Sequence, residues 1–239
     1  MKHTISSKEI VLDFWRLAIG QRDLLFAEKI ISDHYIQHSA SVKDGKKGIL
    51  ESLEVLAKLP TAPASGKPFM RVIADGELVA IHMLLEMGGR KLALLDLMRV
   101  QNGLLTEHWD AVQIIPEDVG NFMVADAMTA DANGNDEENK GVISNYMNGV
   151  LFGQANNIHF IADNFVEHDP QDCLEKCSFD RLHRMIGEND LVLTQATGTI
   201  NAKPHVLYDI FRVWKGKIVE HWNVHQLIPE KMPHSNKIV

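Results

Sequence analysis

The chain has 239 residues, enough for two modest domains with cores of their own. Its hydrophobic fraction of 45% is ordinary for a globular protein, and a net charge of -8 argues against a basic nucleic-acid-binding surface. Apolar runs such as residues 92–95 fall far short of the ~20 residues of a membrane helix, and the N-terminus lacks a signal-peptide core, so a cytoplasmic location with no membrane or nucleic-acid partner is expected.

Ser6-Ser7-Lys8-Glu9 reads as a capping box opening a helix that runs to residue 19. Ile10, Phe14, Leu17 and Ala18 recur at helical spacing along it, and Gly20 ends it. Asp23 caps a second helix to residue 31, residues 34–38 form a short strand, and the Asp44-Gly45 turn leads into a third helix over 47–59. After a Pro- and Ala-rich loop, strands are expected at 69–74, 78–87, 92–100 and 105–114. Their turns, Asp75-Gly76, Gly88-Gly89 and Asn102-Gly103, are strong hairpin signals.

An acidic segment poor in aromatics follows and reads as a linker over 119–139, with a short helix around Ala125. Beyond it the same series returns: helices over 138–151 and 156–161, a strand at 164–168, and a short helix at 171–177. The closing strands fall at 181–186, 191–200, 205–213 and 218–227. Cys173 and Cys177 are too few for a metal site and are expected as free thiols in a reducing compartment.

The second series is a copy of the first. Residues 71–117 align without a gap to 184–230, with about a third of the positions identical. The match is densest where Glu107-His108-Trp109-Asp110 meets Glu220-His221-Trp222-Asn223. A repeat this long is a whole small domain rather than a solenoid unit. The expected organisation is therefore copy one over 1–118, the linker, and copy two over 140–239.

Three helices followed by a curled antiparallel sheet resemble the cone-shaped NTF2-like fold, and the motifs resemble its SnoaL-like polyketide cyclase group. The residues that carry the likeness are Tyr35-Ile36-Gln37-His38, Lys43-Asp44-Gly45-Lys46, Asp96-Leu97-Met98-Arg99-Val100 and Glu107-His108-Trp109-Asp110. In copy two they are Phe165-Val166-Glu167-His168-Asp169-Pro170 and residues 208–222. The resemblance implies an α+β architecture of two NTF2-like cones, each with three helices on a curled sheet, paired within the chain as a pseudo-dimer that further homo-oligomerisation could extend. It implies no single reaction, because the family includes cyclases, isomerases, dehydratases and plain binding domains.

Side chains alternate across a strand, so Leu92, Leu94, Asp96, Met98 and Val100 share one face. Reading Gln101-Asn102-Gly103 as a three-residue loop pairs Val100 with Leu104, sets His108 opposite Asp96, and brings Asp110 near Leu94. Lys215-Gly216 makes a poor two-residue turn, which favours this loop in both copies. The pocket face is then Asp96, Met98, His108, Asp110 and Val112, matched by Asp209, Phe211, His221, Asn223 and His225. Trp109, Trp222, Arg99, Arg212, Glu107 and Glu220 fall on the outer faces, where two sheets would pair. His82 is read as a satisfied strand histidine.

By resemblance, Asp96 corresponds to a hydrogen-bond-donating pocket aspartic acid of ketosteroid isomerases, and Asp110 to the acid/base aspartate of SnoaL-like cyclases. The implied chemistry is cofactor-independent removal of a proton beside a carbonyl, leading to isomerisation, aldol cyclisation or dehydration of a small apolar or polycyclic carbonyl ligand. Asp110 would be the base, Asp96 and His108 the enolate-side donors, and His38 an auxiliary. Burial should raise Asp96 and leave Asp110 ionised. Copy two has Asn223 in place of the base, so its pocket is either degenerate or dependent on His168 or Asp169 with Tyr146, Asp209 and His221. A metal held by His38, His108, Asp96 and Asp110 has no supporting spacing motif, and none is expected. The alternative is a non-catalytic NTF2-like ligand-binding or scaffold protein.

Overall fold

The computed structural model describes residues 5–59, 69–117, 134–151, 157–168 and 177–239. Helix α1 (Ser7–Asp13) starts at the expected capping box: Ser6 Oγ accepts from the Glu9 amide and the Glu9 carboxylate accepts from the Ser6 amide. The helix continues as a π-helical segment, Phe14–Gly20, rather than as a plain α-helix. Helix α2 (Leu24–Ile30) is capped by Asp23, whose Oδ1 accepts from the Phe26 amide at 2.9 Å. Strand β1 (Ile31–Gln37) and helix α3 (Gly45–Lys58) follow. The turn between them is tight: a side chain on Gly48 would lie 2.1 Å from the Lys43 carbonyl, so only glycine fits there.

Strands β2 (Phe69–Asp75), β3 (Leu78–Met87), β4 (Arg90–Gln101) and β5 (Leu104–Ile114) complete a sheet of order β1-β5-β4-β3-β2, with β1 parallel to β5. Copy two repeats it. Helix α4 (Asp136–Leu151) begins inside the segment expected as linker, and a 3-10 turn, Asn157–Phe160, precedes β6 (Ile161–Glu167). Strands β7 (Ser178–Glu188), β8 (Leu191–Ile200), β9 (Lys203–Trp214) and β10 (Lys217–Leu227) form the sheet β6-β10-β9-β8-β7. The helices expected near Ala125 and over 171–177 lie outside the described residues, and so does Asp169. Cys177 is disulfide-bonded, which corrects the expectation of free thiols. No described helix is long and apolar enough to cross a membrane.

Register decides which residues share a pocket, and here one expectation is corrected. The β4–β5 turn has two residues, with Gln101 paired to Leu104 and both Asn102 (φ 52) and Gly103 (φ 78) in the left-handed region. Lys215 (φ 50) and Gly216 (φ 73) adopt the same turn in copy two, although lysine suits it poorly. A bulge then adds Thr106 to β5 and Val219 to β10, which restores the parity that a two-residue turn would have reversed. His108 opposes Met98 and Asp110 opposes Asp96; His221 opposes Phe211 and Asn223 opposes Asp209. The inward set is as read from the sequence, shifted by one pair.

The outward faces of the two sheets pack on each other. Their shared core holds Leu95, Leu97, Trp109 and Ala111 from copy one with Leu193, Tyr208, Ile210, Trp222 and Val224 from copy two, and both tryptophans are fully buried. The contacts are reciprocal. Arg184 of copy two lies 4.0 Å over the Trp109 ring, and its counterpart Arg71 lies 3.5 Å over Trp222. His38 stacks on the Trp109 ring at 4.8 Å and His168 on Trp222 at 4.8 Å. The Val112 amide donates to Gln226 and the His225 amide to Gln113. This is the expected pseudo-dimer. The cones, on the opposite faces, have separate apolar linings.

Candidate functional site

In copy one, β4 and β5 bring Asp96, His108 and Asp110 together. One ligand-type atom from each lies within 4.8 Å of the others. His108 Nε2 is 3.1 Å from Asp96 Oδ1, and His108 Nδ1 is 2.9 Å from Gln37 Oε1. That amide oxygen also accepts from the backbone N–H groups of His38 and Ser39, at 3.0 and 2.9 Å. Three donors converge on it, so Nδ1 carries a proton and Nε2 is the ring position that can exchange one with Asp96.

Asp110 lies beside this pair. Its Oδ2 accepts from Ser39 Oγ at 2.9 Å, while Oδ1 is buried and has no hydrogen-bond partner among the described residues. Asp96 and His108 are buried, whereas Asp110 is partly exposed and is the member of the cluster that reaches solvent. Burial pushes the Asp110 carboxyl above its usual range and the Asp96 charge adds to this, against the opposing effects of His108 and the Ser39 hydroxyl. The sequence leads to an ionised Asp110; burial at this site raises it instead. Burial alone would lower His108, but the charge and hydrogen bond of Asp96, with Asp110 behind them, raise it on balance.

Two residues missed in the sequence complete the cluster. Gln37 fixes the histidine, and Tyr35, on the same face of β1, is buried with its hydroxyl accepting from Gln37 Nε2 at 3.4 Å. Burial and the two aspartates hold the Tyr35 phenol well above its usual pKa, so it stays a donor. His38 alternates to the other face. It stacks on Trp109, bonds Glu107 at 2.9 Å and bonds the Lys237 carbonyl, so the expected role as pocket auxiliary is corrected. His168 takes the same outward position in copy two, on Trp222 and Glu220. His82 is likewise outward, bonded to Arg71; burial and that arginine hold it well below its usual pKa, and so neutral.

The tail of copy two closes on this edge of copy one. Asn236 Nδ2 donates to the Gln37 carbonyl at 2.9 Å, and His234 Nε2 bonds the Ser39 carbonyl at 2.8 Å. Ile238 is buried in the core shared by the two sheets. Residues 37–39, which hold His108 and Asp110 on one side, are thus held by the tail on the other.

Copy two arranges the same kinds of group differently. His221 Nδ1 faces Glu167, with the two carboxylate oxygens 2.8 and 2.9 Å away, and Nε2 faces Asp209 Oδ1 at 3.1 Å. Asn223 Nδ2 donates to the same Asp209 oxygen at 2.6 Å. Burial works against a charged ring, but these two carboxyls raise His221 to about 10, an imidazolium held between them. Tyr146 is buried in the wall, edge-on to Phe211 at 5.8 Å. Each histidine therefore has two carboxyls and one amide around it, with the positions exchanged. Copy one has the amide (Gln37) behind the ring and the second acid (Asp110) beside Asp96. Copy two has the acid (Glu167) behind the ring and the amide (Asn223) beside Asp209.

The trio Asp96, His108 and Asp110 is the one place among the described residues where side chains converge closely enough to hold a metal ion. Its Nδ1–H tautomer suits a proton relay equally well.

No family model matches the sequence, and no curated protein matches it. Among solved structures, the chain is similar to an NTF2-like protein of unknown function from Cytophaga hutchinsonii, at 17% identity and a TM-score of 0.38, over 50% of this chain and 98% of that one. It is also similar to IdmH, a putative polyketide cyclase from Streptomyces antibioticus, at 18% identity and a TM-score of 0.37, over 45% of this chain and 91% of that one. A putative ketosteroid isomerase from Kribbella flavida matches at 12% identity and a TM-score of 0.36, over 42% and 87%. Each of these structures spans about half of this chain and most of its own length. Likeness at this level carries no argument about the reaction; the architecture itself is α+β, with one five-stranded sheet in each of two copies.

Proposed function

We propose that copy one is a cofactor-independent acid/base enzyme of the SnoaL-like kind, acting on a small carbonyl compound, and that copy two is not a second centre for the same chemistry. The carboxyl–amide exchange around the matched histidines carries this reading. In copy two, both ring nitrogens of His221 are committed to carboxyls and the ring is charged. In copy one, Nε2 faces a pair of adjacent carboxyls, one of which is raised, partly exposed and short of a partner on one oxygen.

Asp110, as carboxylate, takes the proton from the carbon beside the carbonyl. The resulting enolate oxygen accepts from the Tyr35 hydroxyl or from the Asp96–His108 pair. Return of the proton to another carbon is isomerisation, attack of the enolate carbon on a second carbonyl is aldol cyclisation, and loss of a β-hydroxyl with the returned proton is dehydration.

The test is hydrogen–deuterium exchange beside the carbonyl of a panel of ketones and 1,3-dicarbonyls in heavy water, followed by proton NMR. Protein-dependent exchange is expected, reduced about 10²–10⁴-fold by Asp110→Asn and far less by Asp209→Asn. Equal exchange in wild type and Asp110→Asn would remove Asp110 as the base. No exchange on any compound, with an Asp110 that titrates in the ordinary carboxyl range, returns the scaffold reading.

A further inference from the structure

Cone two has become more polar where cone one is apolar. Across β8, β9 and β10 the inward row reads Thr194, Asp209, Asn223, with Thr194 paired to Asp209 and Asp209 to Asn223. The matching row of copy one is Ile81, Asp96, Asp110. One step further along β10, His225 stands where copy one has Val112. Among the described residues, four atoms of this group have no hydrogen-bond partner: Thr194 Oγ1, Asp209 Oδ2, Asn223 Oδ1 and His225 Nδ1. Their residues are 0%, 0%, 1% and 8% exposed. Leaving one such group unpaired in the interior costs about 1–3 kcal/mol, and here several lie on neighbouring positions of one sheet face, about 5 Å apart along the row.

Apart from the Thr194 hydroxyl, which can donate as well as accept, the unpaired oxygens of the row are acceptors. A carboxylate oxygen and an amide oxygen only accept, and the orientation of Asn223 is fixed because its nitrogen donates to Asp209. Burial and His205 lower His225 to about 4, so its ring brings no charge. The Phe211 ring, stacked on His221, and Tyr146 edge-on to it supply aromatic surface beside the row.

From this geometry we infer that cone two is a second binding site, for a small guest with a primary ammonium head, held by Thr194, Asp209 and Asn223 and backed by the Phe211 ring. An ammonium head supplies donors to the unpaired Asp209 and Asn223 oxygens and to the Thr194 hydroxyl oxygen, with the Phe211 ring beside it. The inference does not depend on copy one being catalytic.

The experiment titrates the full chain with ammonium, methylammonium and propylammonium chlorides, following the Thr194 methyl and Asn223 side-chain amide signals by NMR. Sodium and tetramethylammonium chlorides are the controls. Saturable shifts are expected with the primary ammonium ions and not with the controls. Affinity should fall about tenfold or more in Thr194→Ile/His225→Val, which installs the copy-one residues. Should that variant fail to fold, Thr194→Val and His225→Val taken singly make the same test. Equal shifts from tetramethylammonium or sodium would overturn the inference. It would also be overturned by no saturable shift in the wild type, with a long-lived water cross-peak to Thr194 marking an internal water only.

Discussion

Exchanging one carboxyl and one amide in copy one should convert its histidine into that of copy two. The perturbation is Gln37→Glu with Asp110→Asn, which gives His108 the partners His221 has: a carboxylate at Nδ1, an aspartate at Nε2, and an amide donating to that aspartate. His221 is raised to about 10 from an ordinary value of 6.5, against the cost of burial, by its bonds to Asp209 and Glu167. His108 in the double variant should rise from its present value into the same range. A group raised in the folded state stabilises it fully below the unfolded pKa of about 6.5, and the contribution is lost as pH rises through the folded value. The double variant should therefore keep its stability to higher pH than wild type, by about 1.4 kcal/mol for each unit its histidine gains. The assay is an NMR titration of the imidazole C–H signals between pH 5 and 11, with urea midpoints at each end. A His108 that titrates in the variant as it does in wild type would refute the idea that carboxyl placement sets the charge of the ring.

Asp110 is raised in the folded state, so the fold binds its proton more tightly than the unfolded chain and loses stability as pH climbs from about 3.8 through the folded value. Asp110→Asn should flatten that part of the pH profile of the urea midpoint; an identical profile would contradict it. Trp222→Ala removes a fully buried ring lying between His168 and Arg71, and should cost about 3–5 kcal/mol in urea denaturation, with Trp109→Ala close to it. Asn236→Ala should cost about 1 kcal/mol and speed amide exchange at His38 and Ser39, leaving the strands of copy two unaffected; a uniform change in both sheets would argue against a local clamp.

Much of this architecture was legible because local signals were strong. Gly-containing pairs marked the copy-one hairpins, alternation divided the strand faces, and the repeat allowed each copy to check the other. The bulges at Thr106 and Val219 carry no Gly or Pro, so their contribution to register could not be read, and the inward set came out right through a different loop. The first strand fared worse. Its pairing with β5 is parallel, remote in sequence and irregular between residues 31 and 36, so nothing local told which of Tyr35, Gln37 and His38 faced the cone. The gap-free alignment began at residue 71. The Gln37/Glu167 difference thus stayed unconnected to Asp110/Asn223 until folding put both beside the matched histidine. The closing segment has neither periodicity nor a motif, and its hold on residues 37–39 exists only in three dimensions.

Fusing the two sheets into one polypeptide changes what mutation can do. In an assembly of identical subunits every replacement occurs twice, so a polar threonine gained in one cavity is gained in the other. Here Gln113 and Gln226 still mirror each other across the seam, while Ile81 and Thr194 have parted company. The seam preserves a symmetry that the inner sheet faces are free to break, and covalent linkage guarantees that unlike halves always find each other in a one-to-one ratio.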